Sequence, residues 1–84
     1  AIDWFNPPVI HCVERKDGLI RVEASDNVMV AKVVITIFDG DENVIEKGEA
    51  RKVDERWWEY AAGMEGIVAA EAWDLAGNVV REIL

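Results

Sequence analysis

The sequence predicts an all-β fold, a sandwich of two antiparallel sheets. Three observations carry this. Residues 19–24, "LIRVEA", alternate with period two: Ile20, Val22 and Ala24 share one face, and Arg21 and Glu23 share the other. Residues 33–38, "VVITIF", are dense in the β-branched types that suit a pleated surface. Turn signals separate seven short apolar segments along the whole chain.

Taken in order, the first strand is predicted at residues 9–13, "VIHCV", behind Pro7 and Pro8. Two prolines donate nothing to a sheet ladder, so they suit an entry or an edge. Lys16-Asp17-Gly18 supplies a tight turn, because Asp-Gly tolerates positive φ. The strand at 19–24 comes next, then a turn at "SDN", residues 25–27. In the strand at 33–38, Val33, Ile35 and Ile37 face inward. The turn "DGDEN" leads to a short strand, "VIEK", and then to Gly48 and the charged run "EARKVDER". Lys and Glu there suit an edge that must not pair with another molecule. "WWEY" is the next strand, and residues 67–74 and 79–83 flank a second turn. In "IVAAEAWD", Glu71 marks the wetter face, so Val68, Ala70, Ala72 and Asp74 point inward.

Residues 49–62 carry a rival signal. Helix formers run throughout, and Ala50, Val53, Trp57 and Ala61 have helical spacing ahead of Gly63. Periodicity alone does not separate the two readings here.

The chain also echoes itself. "FDGDENVIE" (38–46) and "WDLAGNVVR" (73–81) both run aromatic, Asp, three residues, Asn, Val. We read both as hairpin turns held by an Asp carboxylate that accepts backbone N–H groups. Gly77 and Asn78 would supply positive φ in one, and Gly40 and Asn43 in the other.

Eighty-four residues make one domain with a small core. The net charge of −8 argues against nucleic acid and anionic membranes as partners. No apolar run approaches the roughly 18 residues of a membrane span, so no membrane insertion is expected. The chain opens with Ala1, which fits a processed protein or an excised module. Cys12 is the single cysteine and leaves the redox compartment open, cytoplasm included.

Candidate chemistry is sparse. Asp39, Asp41 and Asn43 start like a calcium loop, but Val44 stands where the sharp turn needs Gly and Ala50 where a bidentate Glu belongs. They are weak metal candidates, alone or joined by Asp26 or Asp74, and no metal or other cofactor is expected. His11 and Cys12 are neighbours, which on a strand point apart, giving a surface imidazole and a buried inert thiol. Ser25 lacks a glycine-framed nucleophile motif. Acid pairs such as Glu42/Glu46 or Glu65/Glu71 arise easily among 17 acidic residues. No catalytic residue is assigned, and an enzyme is not expected.

The four tryptophans stand out. Trp58 and Tyr60 share a face and are expected in the core. Trp57 and Trp73 then point outward, and Trp4 lies in the leading segment. Trp4, Trp57 and Trp73 are candidates for stacking on a sugar or meeting a protein partner. The alternative is that Trp57 and Trp73 merely cover a sheet face beside Lys and Arg stems.

Three segments together give a family resemblance: "PPVI" (7–10), "ASDNVMVAKVVITIFD" (24–39) and "GIVAAEAWDLAGN" (66–78). In this order and spacing the chain resembles bacterial and archaeal immunoglobulin-like domains over nearly its whole length. The resemblance implies an Ig-like sandwich of about seven antiparallel strands with Greek-key connections. Residues 1–8 would lead or link, and 9–84 would form the sandwich. It tips "WWEY" toward strand. It implies no catalytic residues. The expected role is a non-catalytic module, outside the cell or at its surface, that spaces, presents or docks domains of a larger protein. A carbohydrate- or protein-binding module using exposed Trp residues is the alternative.

Overall fold

The computed structural model describes residues 7–26 and 29–84. It is all-β, with eight strands: β1 (Val9–Lys16), β2 (Leu19–Ser25), β3 (Val30–Phe38), β4 (Val44–Glu49), β5 (Arg51–Lys52), β6 (Trp57–Ala61), β7 (Ile67–Asp74) and β8 (Val79–Ile83). They form two four-stranded sheets, ordered β1-β2-β6-β5 and β4-β3-β7-β8. Every pairing is antiparallel.

The count is eight rather than about seven because the charged run contributes β5, which pairs Arg51 with Glu59 and Lys52 with Trp58. The helical alternative for residues 49–62 does not form. Pairing of β6 with β2 and burial of Trp58 to 6% exposure outweigh a local propensity of a few tenths of a kcal/mol per residue. Asp54 then stops the run, its Oδ1 accepting the N–H groups of Arg56 and Trp57, both at 3.0 Å.

The core lies between the sheets. Ile20 and Val22 of β2 face Val33, Ile35 and Ile37 of β3 and Val68, Ala70 and Ala72 of β7, with Trp58 from β6. Full burial of each larger aliphatic contributes about 1.5–3 kcal/mol.

Alternation breaks at bulges. Ile10 pairs with Ala24 but Cys12 pairs with Glu23, so His11 is the extra residue in β1. This corrects the expected buried thiol. The bulge turns Cys12 to the outer face beside Glu23, where it is half-buried, and sends Val13 inward instead.

The registers also place the ends of the described segment. Val9 pairs with Ser25, at the pole that holds Val30, Asp74 and residues 50–56. Leu84 donates its N–H to Val68 O at the other pole, with residues 17–18, 39–43 and 62–66. The described chain enters at one pole and leaves at the opposite one.

Candidate functional site

Two of the candidate tryptophans are placed, and they are not brought together. Trp57 lies on the outer face of the first sheet, where it pairs with Glu23. Trp73 lies on the outer face of the second sheet, where it pairs with Lys32 and Val79. They therefore face opposite sides of the molecule. Each is half-buried beneath a cation: the Arg21 guanidinium sits 4.5 Å from the Trp57 centroid, and Lys32 Nζ sits 5.0 Å from that of Trp73. Trp4 lies outside the described residues, as does Asn27 of the expected "SDN" turn.

The two echoed turns are built alike. Asp39 Oδ1 accepts the N–H groups of Asp41 (2.8 Å) and Asn43 (2.9 Å), and Asp74 Oδ1 accepts those of Ala76 (2.9 Å) and Asn78 (2.8 Å). The Asn side chain closes each loop by donating Nδ2 to the second carboxylate oxygen, at 3.3 Å and 2.9 Å. The Asp39 carboxyl is held below its ordinary range by the N–H of Asn43 first and then that of Asp41. For Asp74, burial pushes the pKa up, and the donors from Asn78, Ala76 and Gly77 together outweigh it. The positive-φ residue of the first turn is Glu42 (φ 66°), not Gly40 or Asn43, and that of the second is Gly77 (φ 91°). The turns lie at opposite poles, because β3 and β7 are antiparallel neighbours, so Asp39 and Asp74 contribute to no common site. Among the described residues, no three His, Cys, Asp or Glu side chains gather as metal ligands.

Glu46 is a third heavily engaged acid. It sits on the inward side of β4, opposite Ile37. Its Oε1 accepts the N–H groups of Gly63 and Met64, each at 2.9 Å, and its Oε2 accepts the Tyr60 hydroxyl. The Tyr60 hydrogen bond is the main cause that lowers the Glu46 pKa, and the same bond raises that of Tyr60. Tyr60 reaches across because Gly48 has no side chain; a Cβ there would lie 2.7 Å from the phenol ring. This clasp joins the two sheets, and it occupies the carboxylate of Glu46, which the sequence offered only as a chance pair with Glu42. Sequence reading missed it, since nothing local links residues 46, 48, 60 and 63.

Ser25 and His11 also meet unexpectedly. Nε2 of His11 lies 2.7 Å from Ser25 Oγ. The contact arises because the bulge carries the imidazole across to the end of β2. The contact is solvent-exposed, and among the described residues no third side chain orients the ring by a hydrogen bond to Nδ1.

The outer sheet faces differ in kind. Across the first sheet, Glu14, Arg21, Glu59 and Arg51 form one row of alternating charge. Arg21 is paired within the row, to Glu14 at 3.3 Å and Glu59 at 3.2 Å. Across the second sheet, Val44, Phe38 and Ile67 form one row, and Lys47, Thr36, Ala69 and Ile83 the next. Val44, Ile67 and Ile83 are 56%, 46% and 54% exposed. Phe38, Glu42, Ile67, Arg81 and Ile83 enclose a shallow hollow of about 430 Å³ there, with the Arg81 guanidinium 5.4 Å from the Phe38 centroid. This face is the candidate site: an apolar surface, not a cluster of reactive groups. No protein-family model, no curated protein and no solved structure matches the chain.

Proposed function

We propose that the chain is a non-catalytic immunoglobulin-like module that spaces and presents other domains of a larger protein at a cell surface or outside the cell. The observation that carries this reading is the separation of Val9 from Leu84. Val9 and Leu84 lie at opposite poles of a sandwich whose eight-residue strands span about 26 Å. A module of this kind keeps a domain attached at one end apart from a domain attached at the other. The strand orders support the Ig-like part of the reading: lettered in chain order as A, B, C, C′, D, E, F and G, they become ABED and C′CFG. The cell-surface location rests on the resemblance of "PPVI", "ASDNVMVAKVVITIFD" and "GIVAAEAWDLAGN" to that family.

The test places fluorescent reporters before residue 7 and after residue 84 and measures energy transfer. The separation should stay fixed up to the unfolding temperature and change only with unfolding. Reporters found adjacent in the folded protein would overturn the reading. A carbohydrate-binding role draws less support, since Trp57 and Trp73 face opposite sides and a ligand would meet one ring at a time, each already covered by a cation.

A further inference from the structure

The outer face of the second sheet fits a second copy of the same chain. We infer that two copies pack these faces together about a two-fold axis parallel to the strands, which places Phe38 of each over Ile67 of the other and Glu49 of each over Arg81 of the other.

The register supplies the argument. Glu49, Val34, Glu71 and Arg81 form one row across β4, β3, β7 and β8, all on the outer face. Glu49 and Arg81 are at the two edges of that row, and both are exposed. A two-fold parallel to the strands exchanges β4 with β8 and β3 with β7. It therefore brings each Glu49 over an Arg81, in two equivalent pairs. In the row nearest the β3–β4 turn it brings Phe38 over Ile67, again twice. This is the self-complementarity that an isologous contact requires. Among the described residues, neither Glu49 nor Arg81 has an ion-pair partner within the chain. Arg81 instead rests over Phe38 and must swing aside, a small cost for an exposed cation–π contact.

Net charge agrees. The chain carries −8, which opposes self-association in general. This face, however, carries three cations, Lys32, Lys47 and Arg81, against three carboxylates, Glu49 and Glu71 on its strands and Glu42 beside its hollow, so it is neutral. Two such faces do not repel. The outer face of the first sheet is a poorer choice, because its central row is already internally paired and burying it would desolvate those ions.

The size sets the strength. Four strands at about 4.8 Å spacing and four rows about 7 Å apart give roughly 540 Å² in projection, so two copies bury on the order of 1,000 Å². That is the lower limit of specific interfaces, and the dimer should be weak and concentration-dependent.

Sedimentation equilibrium of the chain from micromolar to millimolar concentration tests this. A monomer–dimer equilibrium is expected. Glu49→Arg and Arg81→Glu should each weaken it by about tenfold or more, since each sets like charges opposite in two places. The double variant Glu49→Arg/Arg81→Glu should restore it to within about threefold of the parent. Ile67→Glu should abolish it, while its circular dichroism and melting confirm folding. A chain that stays monomeric at millimolar concentration overturns the inference. So does a dimer indifferent to Ile67→Glu, or one that the double reversal fails to restore.

Discussion

Glu42 and Gly77 occupy the same position in two turns of the same design, at φ 66° and 91°. Each is the third residue after the Asp that holds its loop, and each precedes the Asn that closes it. Glycine takes this conformation freely, whereas an L-residue there costs about 1–2 kcal/mol. Glu42→Gly should therefore stabilise the protein by about 0.5–1 kcal/mol after allowing for the freer unfolded chain. Gly77→Ala should cost about 1 kcal/mol or more. Gly40→Ala should be neutral or slightly stabilising, since Gly40 has neither positive φ nor a neighbour within 4 Å of a new Cβ. Urea midpoints of the three variants check the assignment, and a stabilising Gly77→Ala would contradict it.

Trp58 and Trp57 are adjacent but not equivalent. Trp58 is 6% exposed in the core, and Trp57 lies on the outer face under Arg21. Trp58→Ala should cost about 3–5 kcal/mol, the range for losing a buried aromatic. Trp57→Ala loses a half-covered ring and a cation–π contact, and should cost much less. Equal losses in chemical denaturation would refute the difference.

The Glu46–Tyr60 clasp makes stability depend on pH at both extremes. Glu46 is lowered from its ordinary value of 4.5 on folding, so its contribution is present above that pH and is lost as pH falls through the folded value. Tyr60 is raised from 10.0, so its contribution is present below that pH and is lost as pH rises through the folded value. Tyr60→Phe should flatten the alkaline limb and weaken the acid one, because Glu46 keeps the N–H groups of Gly63 and Met64. Glu46→Gln should reduce both. Melting temperature against pH for the parent and the two variants is the measurement.

Because backbone and side-chain N–H groups occupy the carboxylates of Asp39 and Asp74, neither turn should depend on calcium. Asp74→Ala should destabilise the protein equally in millimolar calcium and in chelator at fixed ionic strength. Any small general shift from screening the net charge of −8 should be reproduced by magnesium. A calcium-only rise in melting temperature, removed by Asp39→Ala or Asp74→Ala, would mean that the turns hold a cation.

What sequence alone determined about this protein was local. Side chains on a strand alternate by geometry, so the inward faces Ile20-Val22-Ala24, Val33-Ile35-Ile37 and Val68-Ala70-Ala72-Asp74 could be read from period two. An Asp with backbone donors two and four residues on, and an Asn to close the loop, is likewise a local device, so both turns were legible. The position of the strained residue was not, because Gly40 draws attention to itself and Glu42 does not. Tertiary structure decided the rest. The bulge at His11 reversed Cys12, since strand β2 sets the register that β1 must adopt. Pairing with β2 made residues 57–61 a strand despite helix-forming neighbours. Strand order placed Trp57 and Trp73 on opposite sides, Glu46 beside Tyr60, and Glu49 and Arg81 on opposite edges of one row. These relations join residues far apart in the chain, and only the pairing of sheets and the burial of a common core bring them into contact.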